Sequence, residues 1–239
     1  MPTVDLRARN TESFLYETLL TVEALAYPLE QGTIRAQMRT SVDDAYVYYE
    51  WLTAKARGAL PATARVGLIT LTPTAAIGWI DFTKNPVAST TVTIGETVVT
   101  FVASGASGLN VALGADLDGT LVNLRAMLAV SVDPDLARQT YATTDSRLTL
   151  TSKTFDATGN SMTLSTTVDG ATASADTLQG GGTLLTMLAP QRDVARFKGA
   201  FVYDIRFEGS DPDATDPEGA VRVVLQDGAL VWAQGITRS

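Results

Sequence analysis

The stretch TVTIGETVVTFV, residues 91–102, decides how the chain is organised. Val92 and Ile94 alternate with threonines, as do Val99 and Phe101 with their neighbours, and period-two alternation is the mark of a half-buried strand. Two strands are predicted, 90–94 and 97–102, with Gly95-Glu96 as a two-residue hairpin turn. Short, Thr-rich strands of this kind crowd the middle of the sequence, whereas Tyr, Trp and Arg concentrate toward both ends. The shift in style predicts two modules, one inserted within the other.

Outward from the hairpin, residues 79–83 read as a preceding strand. DLDGTLVNLRAMLAV, 116–130, reads as a helix, because Leu117, Leu121, Leu124 and Leu128 recur at four- and three-residue spacing. Asp116 or Asp118 can cap its first turn, and Asp133-Pro134 closes it off. Residues 140–144, 147–152 and 161–167 read as three further strands, with 156–160 as a loop, and Gly180-Gly181-Gly182 as a flexible exit.

Farther out, strands are predicted at 13–22, 33–39, 45–52 and 66–72, the last ended by Pro73, with a turn-rich stretch around Tyr27, Pro28 and Gln31-Gly32. In 33–39, Ile34, Ala36 and Met38 alternate with Arg35, Gln37 and Arg39, giving one apolar and one cationic face. After the glycines come the apolar segment 184–188, a strand at 200–208, an acidic loop, and strands 221–225 and 230–233 joined by an Asp227-Gly228 hairpin turn. The fold class that results is mainly β with an α+β insert. A discontinuous antiparallel β-sandwich or barrel-like outer domain occupies 10–77 and 183–239, behind an N-terminal extension at 1–9. An inserted β-β-β-α-β-β-β domain occupies 78–182, and no helix is predicted in the outer domain.

At 239 residues the chain can hold two ordinary domains of roughly 100–150 residues each. Its 45% hydrophobic and 18% charged content is that of a folded chain. A net charge of −8 argues against a general nucleic-acid binder, which needs clustered Lys and Arg to neutralise phosphates. No apolar run long enough for a membrane span is present, and the start, MPTVDLRARN, lacks the apolar stretch of a secretory signal.

The chain contains no Cys and no His. Thiolate nucleophiles, thiolate zinc sites and disulfides are therefore excluded, together with the Ser-His-Asp triad and His-based metal hydrolysis. Carboxylate-only glycoside hydrolysis needs a pair of Asp or Glu residues, and no pair stands out. The expectation is a non-enzymatic protein that uses no cofactor.

The outer segments resemble a small β-domain frequent in tailed-phage structural proteins. It carries a G-T-x-R-x-Q-x-R strand, here 32–39, a G-x-y-v-Y-D-i strand, here 199–205, and a closing hairpin ending in Val or Ile and then Thr, here Ile236-Thr237. The middle segment resembles a module recurrent in phage tail and baseplate proteins. That module has a T-V-T-I-x-x-x-x-V-T-F hairpin, here 91–101, an apolar helix, and an L-T-L-T-x-K-x-x-x-x-x-G-N-x-[MI]-x-L-S strand pair, here 148–165. The outer module usually runs without such an insert. The resemblance implies a virion structural protein made in the bacterial host cytoplasm, of tail, baseplate or fibre-anchoring type. Its implied partners are other virion proteins and copies of itself, without nucleic acid or membrane. Capsid decoration or head-fibre attachment is the alternative placement.

Several residues are candidates for contacts. Asp211, Asp213 and Asp216, with Glu218, offer oxygen ligands for Ca²⁺, but their spacing is not that of an EF-hand and two prolines interrupt it, which favours a solvated loop. Asp116 and Asp118 beside Gly119-Thr120 lack a basic neighbour for phosphate, so capping is the better account. Tyr46, Tyr48 and Trp51 are interface candidates, for a protein or for a host glycan in a carbohydrate-binding receptor-recognition module. Alternation places Tyr46, Tyr48 and Glu50 on one face and Val47, Tyr49 and Trp51 on the other. Arg35, Arg39, Arg192, Arg196 and Arg206 are candidates to pair with carboxylates of a neighbouring subunit. Trp79 and Trp232 are expected in the core.

Overall fold

A computed structural model describes residues 6–9, 13–21, 29, 33–41, 43, 45–58, 60, 65–144, 146–195, 197–210 and 220–233. Along the chain run β1 (Leu6–Arg9), β2 (Phe14–Leu20), β3 (Thr33–Arg39), β4 (Tyr49–Thr53), the one-turn helix α1 (Ala54–Arg57) and β5 (Gly67–Thr74). Next come β6 (Ile77–Phe82), β7 (Thr91–Ile94), β8 (Thr97–Val102), β9 (Asn110–Ala112), α2 (Leu117–Val130) and α3 (Pro134–Ala137). They are followed by β10 (Gln139–Thr144), β11 (Arg147–Ser152), β12 (Leu164–Thr166), β13 (Ala171–Ala173), β14 (Gly182–Ala189), α4 (Gln191–Val194), β15 (Gly199–Ser210) and β16 (Ala220–Ala233).

The chain is mainly β and divides into two compact units, Met1–Thr72 with Leu184–Ser239, and Pro73–Thr183. In the outer unit the strands form one curled eight-stranded sheet in the order β1-β16-β15-β3-β4-β5-β14-β2. The chain leaves along β5 and returns along β14. These are neighbours in the sheet, so closing the loop between them costs little entropy. Most of the registered pairs are antiparallel, but β4 runs parallel to β5, and the 13-residue crossover between them contains α1. Strand β1 runs parallel to β16, so Leu6–Arg9, placed by the sequence in an extension, belongs to the sheet.

The inner face of this sheet is apolar at alternate positions. Ile34, Ala36 and Met38 of β3, Tyr49 and Trp51 of β4, and Phe201, Tyr203, Ile205 and Phe207 of β15 are all buried in one cluster. Each fully buried side chain of this size contributes about 1.5–3 kcal/mol through the area removed from water. The helix α4 adds Val194 to this core and buries Asp193, which accepts a hydrogen bond from the Tyr49 hydroxyl at 3.3 Å.

Several expectations about the outer unit are corrected. It does contain helix, in the single turns α1 and α4. Strand β5 runs through Pro73 to Thr74 instead of ending before it. Asp227-Gly228 is not a turn: β16 continues through both residues, with Asp227 opposite Asp204 and Gly228 opposite Tyr203. A turn there would strip β15 of half its ladder, and an unpaired backbone outweighs a local turn preference. A bulge at Leu225, where the register shifts between Ile205 and Arg206, accommodates the twist of the long pair instead. Tyr27, Pro28, Gln31-Gly32 and Ile236-Thr237 lie outside the described residues, as does the side chain of Trp232.

The inserted unit consists of two four-stranded sheets, β10-β11-β6-β13 and β12-β7-β8-β9. The strands β9 and β13, one before and one after the helix, are additional to the β-β-β-α-β-β-β pattern. One core unites Ile80, Phe82, Leu148 and Leu150 of the first sheet with Val92, Ile94, Val99 and Phe101 of the second. Helix α2 packs against β9 at the end of one sheet and β10 and β11 at the end of the other, and buries Leu121, Leu124 and Leu128 between them. Its N-cap is Asp116, whose carboxylate accepts from the Gly119 N–H at 2.9 Å.

Glycines fix two close approaches in this unit. Gly95 has φ +63° and is the first central residue of the β7–β8 turn, the position a type II′ turn reserves for glycine. A Cβ on Gly181 would lie 2.3 Å from the Asp156 carbonyl oxygen. Gly181 also exchanges two hydrogen bonds with the Asn160 side chain, both 2.8 Å. Gly181 is therefore packed and bonded, whereas a Cβ on Gly180, at φ +84°, would meet nothing within 4 Å.

Candidate functional site

The outward face of the outer sheet carries a charged ladder. Register places Asp227, Asp204, Gln37 and Glu50 in one row across β16, β15, β3 and β4. The next row holds Arg206, Arg35 and Leu52. The Gln37 amide donates to Glu50 at 2.9 Å, Arg39 donates to Gln37, Arg35 Nε lies 3.2 Å from Glu50, and Arg206 donates to Asp204 at 2.8 Å. Opposed aspartates would repel, and Arg206 on Asp204 offsets that repulsion.

The ladder is half-sunk: Glu50 and Asp204 keep only 23% and 16% of their side-chain exposure. Pairs in this setting are screened less than open surface pairs. Asp204 Oδ1, Arg39 Nε and Arg206 Nε are buried without a hydrogen-bond partner. Left without a water or ion, such atoms cost about 1–3 kcal/mol each. The cationic face expected of β3 is thus present, but Arg35 and Arg206 pair within the chain, as does Arg192, 3.7 Å from Asp193. Arg196 lies outside the described residues.

The predicted aromatic platform is dispersed. Strand β4 begins only at Tyr49, so Tyr46 and Tyr48 precede it. Trp51 is fully buried among Phe14 and Tyr49. Tyr48 packs against Phe197 and Phe201 at 5.3 and 5.1 Å. Only Tyr46 is well exposed, at 68%, and its ring meets the edge of Tyr48. Asp211, Asp213, Asp216 and Glu218 lie outside the described residues. Among the described residues no group of three or more acidic side chains is arranged to hold a metal. No helix of the described residues is long and apolar enough to cross a membrane.

A second constellation lies on the inserted unit. Trp79, expected in the core, is 37% exposed on the outward face of β6. The guanidinium of Arg147 sits 4.9 Å from its ring centroid and donates from Nε and Nη2 to both oxygens of Asp81, at 2.6 and 2.7 Å. Hydrogen bonding to Arg147 is the main cause that holds the Asp81 carboxyl below the usual carboxylate range. The sequence signal was the alternation Trp79-x-Asp81 facing Arg147-x-Thr149. Only the antiparallel register of β6 and β11 brings the two pairs together.

The chain matches no protein-family model and no curated protein.

Proposed function

We propose that the chain is a non-catalytic structural component of a tailed-phage virion, acting in the tail, at the baseplate or as a fibre anchor through protein–protein contacts of its outer unit. One observation carries the reading. The two segments that bear the outer resemblance are far apart in sequence, yet their described residues 33–39 and 199–205 lie in the adjacent strands β3 and β15, and Gln37 of one motif stands opposite Asp204 of the other in the charged ladder. The inserted segments behave alike: β7 and β8 form the expected hairpin, and Leu164 of the second motif pairs with Ile94 of the first. The lack of Cys and His removes the usual nucleophiles and acid–base groups, which supports a role in assembly.

Antibodies against the chain, applied to purified virions and viewed by electron microscopy, are expected to label the tail. Labelling of the head would move the assignment to capsid decoration, and unlabelled particles would refute it. The double substitution Arg35→Gln and Arg206→Gln, which removes both cations without placing carboxylates face to face, is expected to reduce incorporation while circular dichroism shows the fold retained.

A further inference from the structure

One face of the sheet β10-β11-β6-β13 packs on the core of the inserted unit, through Gly78, Ile80 and Phe82 of β6 and Leu148 and Leu150 of β11. The other face is built from short side chains. Thr149 stands opposite Trp79, Ala142 opposite Thr149, Thr144 opposite Arg147 and Thr172 opposite Asp81. Alongside Ile77, the indole is therefore a large apolar group exposed on a hydroxyl-bearing surface. Its orientation is held by the guanidinium stacked on it, and the guanidinium is held by two hydrogen bonds to one carboxylate.

We propose that this face binds a neutral glycan. The apolar C–H face of a pyranose lies on the exposed part of Trp79, and adjacent hydroxyls are bonded by the Arg147–Asp81 pair. The pair has capacity to spare. A guanidinium carries five N–H donors, and two are engaged, leaving three; the Asp81 carboxylate, which also interacts with the Trp79 side chain, keeps one accepting position. Side-by-side donors and acceptors on a fixed plane match the alternating donor–acceptor character of a vicinal diol. Because Arg147 and Asp81 already hold each other and the ring, little side-chain entropy is lost on binding.

Charge and area select this occupant over others. The single cation of the patch is neutralised by Asp81 and the chain carries −8 overall, which disfavours nucleic acid or an acidic polysaccharide. The large apolar side chains exposed on this face are Trp79 and Ile77, too few to form the apolar centre of a stable protein interface. The inference stands on the inserted unit alone and does not depend on placement in a virion.

The test is saturation-transfer NMR on the full chain with neutral hexasaccharides of glucose (α- and β-linked), mannose, galactose and N-acetylglucosamine, and with a heparin hexasaccharide. At least one neutral sugar is expected to receive saturation at millimolar concentration. Trp79→Ala should abolish the signal, and Arg147→Lys, which cannot form the bidentate pair, should weaken binding at least tenfold. Thr149→Lys, which obstructs the indole from a half-exposed position, should reproduce the loss if Trp79→Ala disturbs the fold. Absence of transfer from every neutral sugar, binding of heparin alone, or binding unchanged in the Trp79 and Thr149 variants would overturn the proposal. Virion labelling is scored separately, so the two readings can fail independently.

Discussion

The outer and inserted units bury their sheets by different means. The outer strands are long, up to 14 residues in β16, and enclose rings in mutual contact, with Tyr49 4.7 Å from Trp51 and 5.3 Å from Phe197. The inserted strands are three to six residues long and enclose mostly Leu, Ile and Val. What they lack in ring area they recover at their ends, where short polar side chains satisfy the backbone. Asp133 accepts from the N–H groups of Asp135 and Leu136 and from the Thr97 hydroxyl, Thr166 donates to the Thr91 carbonyl, and Asp156 accepts from the Thr158 N–H. The contrast teaches that a small sheet domain can replace packed volume by closed turns. The outer unit should therefore fail through cavities, and the insert through its caps and close approaches.

The largest effect is expected from Trp51→Ala, whose cavity among Phe14 and Tyr49 should cost about 3–5 kcal/mol in urea unfolding. The loss should appear in the transition of the outer unit, followed by near-ultraviolet circular dichroism, and leave that of the insert in place. Leu124→Ala, between the two inserted sheets, should cost about 2–4 kcal/mol in the other transition. Equal shifts of both transitions by either variant would break the comparison.

Gly114→Ala comes next. Its Cβ would lie 2.5 Å from the backbone carbon of Gly119 at the start of α2, and relieving that contact should cost about 1–3 kcal/mol. Asp116→Ala, which removes the cap of the same helix, should cost about 0.5–2 kcal/mol and lower the helical signal.

The smallest effects are expected from pH. The carboxyls of Asp133, held down chiefly by the Thr97 hydroxyl, and of Asp81, held down by Arg147, titrate below their ordinary range. A depressed carboxyl stabilises the folded state above its unfolded pKa of about 4, and that stability is lost as the pH falls through the lower folded value. The insert's melting temperature should accordingly fall on acidification, and less so in Asp133→Asn. At the other extreme, burial is the first cause that raises the Tyr141 hydroxyl, followed by the charges of Asp133 and Asp135. Its contribution is complete below the ordinary tyrosine value of about 10 and is lost as the pH rises beyond it, so Tyr141→Phe should flatten the alkaline limb.

Local pattern carried much of the fold. Alternation alone delimited β3, β8 and β11 to the residue, because the inward side chains Ile34, Ala36 and Met38, or Leu148 and Leu150, differ sharply from their neighbours. Leucine spacing and Asp116 set α2 almost as closely. The three-residue strands β9 and β13 escaped, since so few residues cannot display a period. The candidate sites were less legible. The Tyr46-to-Trp51 run has the composition of a platform, yet the chain enters β4 too late to align it. Composition alone places Trp79 in the core, because a large apolar side chain is usually worth burying.

By itself the sequence determined which residues alternate, where the helix begins, which chemistries are absent, and that the middle differs from both ends. Each of these is a property of neighbours a few bonds apart. Only the tertiary structure decided that β16 runs through Asp227-Gly228, that Arg35 and Arg206 meet carboxylates of their own chain, and that Trp79, Arg147 and Asp81 share one face. Those outcomes depend on pairing between strands distant along the chain. Their register is set by the sum of ladder hydrogen bonds and core burial over whole strands, which outweighs the preference of any one turn or side chain.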